Sequence, residues 1–285
     1  MKNLLAIILL ILPNVLLAQS NIIQINDTLT AHRYEFSALA KWHNKVLLIP
    51  QNRKNVIDSV FIIDSAAIDQ SIQNNTLAAH SAFAIKNLKH VGPKKDSLYI
   101  GNTLLKKYDG FEAAVVKNDI IFFSLEADTS FCYLIKGVID EKSKTINIEP
   151  DTLHIPNTYN IDNAGFESLA LLPQKDSLIA FFECNKDTAT AKTFLFGTDL
   201  KHDAKLLQWA QPLYFRLTDV YALNDSELLG INHLFTNLTY PFERDAYIKC
   251  EDLSIVEKQL TNGGNIDTCF TQIVKLSIRQ QKIYW

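Results

Sequence analysis

Several motifs that would assign a chemistry are missing from this chain. It has no Gly-x-Ser-x-Gly elbow and no P-loop, which removes the sequence support for a serine hydrolase or a nucleotide hydrolase. Its four cysteines, Cys132, Cys184, Cys250 and Cys269, lack the short paired spacings of a zinc site. An oxidising compartment would permit disulfides among them, with three possible connectivities, and buried free thiols are the other reading. No large excess of one charge sign is present. Lys and Arg number 28 against 31 Asp and Glu, so nothing electrostatic points to nucleic acid or an anionic membrane. The seven histidines include no close pair of metal-ligand spacing. No convincing helical periodicity of any length runs between the apolar segments, which disfavours helical and leucine-rich solenoids.

Long apolar runs are also absent, with one exception at the start. Residues 1–18 carry one early cation, Lys2, then an apolar run from Leu4 to Leu12, then Leu16-Leu17-Ala18 ahead of the polar Gln19-Ser20. That layout predicts a cleaved secretory signal over 1–18. A membrane anchor is the rival reading, but Pro13 and Asn14 interrupt the run and it falls short of the about 20 residues a span needs. No cysteine follows it to carry a bacterial lipid. The expectation is a secreted or periplasmic protein, with residues 19–285 as a single domain and no later membrane span.

What the chain does contain is a repeat. Phe36-Ser37-Ala38-Leu39-Ala40, Phe111-Glu112-Ala113-Ala114-Val115, Phe166-Glu167-Ser168-Leu169-Ala170, Thr218-Asp219-Val220-Tyr221-Ala222 and Phe270-Thr271-Gln272-Ile273-Val274 open alike. They recur at intervals of about 52 to 75 residues, a period typical of repeat architectures. Each is followed by a polar break, such as Lys117-Asn118-Asp119 or Asn224-Asp225-Ser226-Glu227, and then a second apolar run. Short β-rich runs separated by Asn, Asp, Ser and Lys read as antiparallel hairpins. Third runs such as Tyr133–Asp140, Phe194–Leu200 and Tyr247–Leu253, and weaker fourth runs such as Thr145–Ile148, complete four strands per repeat. This predicts an all-β propeller of five blades, with six as the alternative. The stretch from Ala66 to Lys86 is expected to be an inserted loop with a helical turn. Ile22–Asn26 would close the last blade, whose final strand lies beyond Trp285, so the chain is expected to continue further.

In a propeller the first strand of each blade lines the central channel, so the second residue of every anchor, Ser37, Glu112, Glu167, Asp219 and Thr271, should recur around one mouth. Hairpin geometry returns Gln51, Glu126, Glu183, His233 and Trp285 opposite them. Like charges so gathered need a cation or hydrogen-bond donors. One reading makes Glu112, Glu126, Glu167, Glu183 and Asp219 oxygen ligands of a hard divalent cation, Ca²⁺ above all. Another leaves the acids structural, capping backbone N–H groups or pairing with Arg33, Arg53, Arg216 and Arg244. A third is direct acid/base catalysis, with Glu167 or with His233 beside Asp219 moving a proton. Arg53 and Arg216 are the cations placed to bind a phosphate or carboxylate at this mouth.

The segments Asn160–Leu171 and Asp109–Val115, with Gly165-Phe166-Glu167-Ser168-Leu169-Ala170 and Gly110-Phe111-Glu112-Ala113-Ala114 at their centres, resemble the Gly-Phe-Glu-Gly-Leu-Ala signature of the phytase-like propellers. That group is described as having esterase-like activity of phytase, and the related SdiA-regulated propellers share the pattern. The resemblance implies an exported propeller linked to Ca²⁺ and phosphoester chemistry, and it carries over Glu112 and Glu167. Here the Gly after Glu is Ala113 or Ser168, and Ser37 and Thr271 replace the acid in two repeats. Two functions follow as expectations. One is a binding module for a small molecule, glycan or envelope protein, monomeric because a closed ring need not associate. The other is a Ca²⁺-dependent phosphoesterase or esterase acting at the mouth.

Overall fold

The computed structural model describes residues 35–51, 59–74, 80–92, 97–127, 130–156, 165–182, 192–201, 204–209, 216–234 and 270–284. The chain builds successive four-stranded antiparallel sheets. The first comprises β1 (Glu35–Trp42), β2 (Lys45–Gln51), β3 (Ser59–Asp64) and β4 (His80–Lys86), with one helix, α1 (Ser65–Asn74), between the last two. A small three-stranded sheet follows, made of β5 (Leu88–Val91), β6 (Ser97–Ile100) and β7 (Thr103–Lys106). The second large sheet is β8 (Gly110–Lys117), β9 (Ile120–Glu126), β10 (Phe131–Asp140) and β11 (Thr145–Pro156). The third is β12 (Phe166–Leu172), β13 (Ser177–Phe182), β14 (Lys192–Gly197) and β15 (Lys205–Gln208). The fourth is β16 (Arg216–Ala222), β17 (Glu227–Leu234), β18 (Phe270–Ser277) and β19 (Lys282–Tyr284).

The first strands β1, β8, β12 and β16 pack against one another in chain order, which is a propeller-like arrangement. Its cause is visible in the second strands, which are apolar at almost every position because both faces are buried. In β9, Ile121 and Phe123 point into the core shared with the first sheet, while Phe122 enters the core shared with the third. In β13, Leu178, Ala180 and Phe182 face the second sheet, and Ile179 and Phe181 face the fourth. One strand thus serves two cores, and period-2 geometry decides which residue serves which.

The first two sheets are joined more tightly than the others. β4 and β11 pair in parallel through Ala84, Ile85 and Lys86 against Thr145, Ile146 and Asn147. With β1 packed on β8 at the other side, eight strands make a nearly closed, barrel-like sheet. Leu98, Ile100 and Leu105 of the small sheet are buried in the core between them. The region from Ala66 to Lys86, expected as a loop, therefore holds α1 and β4, the strand that joins the first sheet to the second. Ala67 and Ile68 of α1 cover Leu48, Phe61 and Ile63 on the outer face of the first sheet.

The fifth anchor sits in an unexpected place. Phe270–Ser277 is the third strand of the fourth sheet, pairing with β17 from Glu227↔Ser277 to Leu234↔Phe270. It is not the first strand of a sheet of its own, so Thr271 faces His233 in a ladder and does not open a fifth hairpin of the expected kind. An apolar strand with β-branched residues satisfies the free edge of β17 equally well, and repeat spacing alone does not say which edge a strand will take. The expected strands at Ile22–Asn26 and Tyr247–Glu257 lie outside the described residues. Close packing in the fourth sheet needs Gly230, where a Cβ would stand 2.7 Å from Leu217 Cδ1. Among the described residues no helix is long and apolar enough to cross a membrane.

Candidate functional site

Each of the four opening hairpins carries a β-bulge at the same point. The register shifts between Phe36 and Ala38, Phe111 and Ala113, Phe166 and Ser168, and Leu217 and Asp219. The extra residues are Ser37, Glu112, Glu167 and Thr218. A bulge leaves one residue out of the ladder and re-aims its side chain, a common device beside binding sites. The carbonyl just before three of these bulges accepts a serine hydroxyl from the preceding sheet. Ser37 Oγ donates to Phe111 O, Ser124 Oγ to Phe166 O at 2.8 Å, and Ser168 Oγ to Leu217 O at 2.7 Å.

The bulges of the second and third sheets bring acids together. Glu112, Glu126 and Glu167 each offer a carboxylate oxygen within 4.8 Å of the other two. Glu112 is 4% exposed and Glu126 8%, and Glu167 is half-buried. In the ladder Glu126 stands opposite Gly110, two residues before Glu112. Gln51, at the end of β2, donates its Nε2 to Glu112 Oε1 at 2.6 Å. The first sheet thus supplies a neutral donor where the second supplies an acid.

This donor set fits a hard cation. Ca²⁺ holds its oxygens at about 2.4 Å, so two ligands on opposite sides of one ion lie about 4.8 Å apart. Three carboxylates inside that limit can share one ion, with backbone carbonyls and water completing six to eight ligands. Soft or redox metals are a poorer match, because among the described residues no thiol or imidazole belongs to the group.

The remaining candidates fall elsewhere. Asp219 follows its bulge and pairs with Ile231, which pairs in turn with Ile273. These three lie in one row on the outward face of the fourth sheet, where Ile231 is 40% and Ile273 72% exposed. The anchor alignment is therefore one residue out of register in the fourth repeat, because Thr218-Asp219 mimics the Phe-Glu pair while Leu217 takes the place of the phenylalanine. Asp219 as a whole is exposed, but local packing around its carboxyl holds it above the usual carboxylate range, offset in part by the Val220 N–H at 2.8 Å. The backbone of His233 pairs with Arg216 on one side and Thr271 on the other, two residues before the bulge position. Glu183 and Arg53 lie outside the described residues. Sequence reasoning passed over Ser124 and Ser168 as donors. Their signal was the lone hydroxyl in otherwise apolar, doubly buried strands, since such a group needs a partner.

At the opposite end of the same hairpins the acids are exposed and paired. Asp119 accepts from Trp42 Nε1 at 3.1 Å and lies 3.1 Å from His43 Nε2, and the hydrogen bonds from His43 and then Trp42 hold its carboxyl below the usual range. Lys117 pairs with Asp176, whose carboxyl is lowered first by that bond and then by Thr198. Asp225 accepts from the Gln174 N–H at 2.8 Å. Each turn thus touches the next.

No protein-family profile matches this chain, and no curated protein matches its sequence. Among solved structures, it is similar to the PQQ-bound form of an aldose sugar dehydrogenase from Streptomyces coelicolor, at 9% identity and a TM-score of 0.31 over 70% of this chain and 88% of that one. It is also similar to a chain in the S. cerevisiae assembly of Dbp5 with Nup159, Gle1, IP6 and ADP, at 8% identity and a TM-score of 0.29 over 71% of this chain and 40% of that one. At these TM-scores the fold rests on the strand pairing described above.

Proposed function

We propose that this protein is an exported, propeller-like binding protein whose channel mouth holds a divalent cation, Ca²⁺ first among them, through Glu112, Glu126 and Glu167. The observation that carries the reading is the approach of three carboxylates within 4.8 Å, two of them buried. Taking like charges out of water costs several kcal/mol per ion unless opposite charge compensates. Gln51 supplies one neutral donor to this cluster, and a bound cation supplies the charge. Export is read from the segment 1–18, and the resemblance of the two Gly-Phe-Glu segments points the same way. The cation would order the mouth and offer open coordination positions to an anionic ligand, phosphoesters included.

The test is thermal melting in Ca²⁺ against a chelator. At 100 times its Kd a ligand stabilises by about 2.7 kcal/mol. For a chain of this size that is a rise on the order of 5–10 °C in Tm. Glu112→Gln combined with Glu167→Gln should abolish the rise. An unchanged Tm in the wild-type protein, or an equal rise in the double variant, defeats the reading.

A further inference from the structure

We infer that Thr218, and not Asp219, is the fourth sheet's residue at the acid cluster, and that by being uncharged it holds the cluster at three carboxylates. The inference deepens the cation reading, which it uses for the number and charge of the available ligands, but its placement stands on geometry alone.

Four independent bulges define one position. Ser37, Glu112, Glu167 and Thr218 are the residues that the pairing skips. Glu112, Glu167 and Thr218 each directly follow a carbonyl that accepts a serine hydroxyl from the sheet before. The bond from Ser168 Oγ to Leu217 O is 2.7 Å long, so the residue after Glu167 and the residue before Thr218 are in contact. Between the second sheet and the third the bond to Phe166 O comes from Ser124, which faces Ala113, the residue after Glu112, in the ladder, and there Glu112 and Glu167 do meet. By the same relation Thr218 stands next to Glu167 around the mouth. Asp219 is carried to the other side of the strand by the pleat, into the row with Ile231 and Ile273. The sequence of bulge residues around the mouth is then hydroxyl, acid, acid, hydroxyl, with Gln51 and Glu126 from the second strands. A fourth acid at 218 would add like charge beside three carboxylates that already lie within 4.8 Å of one another.

A double-mutant cycle in chelator reads the placement without any cation. Thr218→Asp should lower Tm by several degrees at neutral pH, and most of that loss should disappear when Glu167→Gln removes the neighbouring charge. Thr218→Asn, of matching size and no charge, should stay close to wild type and guards against a simple packing defect. Asp219→Asn should have the same effect with and without Glu167→Gln, because distant sites add. Additive effects of Thr218→Asp and Glu167→Gln, or coupling between Asp219→Asn and Glu167→Gln, overturn the inference. Adding Ca²⁺ separates the two proposals. If no variant responds to Ca²⁺ while the 218–167 coupling persists, the cation reading falls and the placement of Thr218 stands.

Discussion

The two ends of the opening hairpins handle carboxylates in opposite ways. At the turn end, Asp119, Asp176 and Asp225 sit in water or near it, each with a donor from the neighbouring sheet, and Asp119 and His43 are 57% and 56% exposed. At the bulge end, Glu112 and Glu126 are buried beside a third acid, Glu167. The first arrangement costs little and contributes little, since exposed pairs trade Coulomb attraction against side-chain entropy and screening. The second costs a good deal unless something compensates it, because each buried carboxylate gives up its water beside another of the same sign. The contrast separates exposed acids that tie one turn to the next from acids gathered out of water at the bulges.

Ser168→Ala breaks this comparison most sharply. Its hydroxyl is fully buried and satisfies Leu217 O, so its loss leaves a carbonyl without that donor and should cost on the order of 1–2 kcal/mol in urea unfolding. A cost near zero would mean that the bulge end is not held by these hydroxyls. A smaller, pH-dependent effect belongs to Asp219. Its folded pKa is raised, so the folded state binds the proton more tightly than the unfolded one, and the charged form carries a penalty at neutral pH. Asp219→Asn should therefore stabilise at pH 7, with the gain fading as pH falls towards about 4. A gain that grew on acidification would reverse the sign and the assignment. The smallest effect is expected at the turn end. Lys117→Ala should shift the urea midpoint less than Ser168→Ala, and the shift should vanish in high salt. Because the Asp176 carboxyl is lowered by Lys117 and Thr198, whatever it contributes is present above the unfolded value of about 3.9 and is lost as pH drops through its folded value.

The strands were legible because burial on both faces writes long apolar runs, as in Ile120-Ile121-Phe122-Phe123 and Leu178-Ile179-Ala180-Phe181-Phe182. The meeting of Glu112, Glu126 and Glu167 followed from hairpin counting plus the Phe-Glu repeat. The bulge did not, since nothing in Phe111-Glu112-Ala113 says that Glu112 is skipped by the ladder. That omission explains the slip at Thr218-Asp219, where polarity matched the repeat and register did not. The small sheet of β5 to β7 escaped notice because its four-residue strands are too short to show alternation, and the edge that β18 would take is decided by competition between sheets.

The parallel seam between β4 and β11 divides the molecule into parts of unequal cohesion. The first two sheets share backbone hydrogen bonds at their outer strands as well as a core, whereas the third meets the second, and the fourth meets the third, through side chains and serine hydroxyls. Under a pulling force or in rising denaturant, the barrel-like half must yield as one block, while the later sheets can detach singly. Since the acid cluster straddles the second and third sheets, anything that bridges its three carboxylates would also act as a rivet across the boundary between the cohesive half and the separable one.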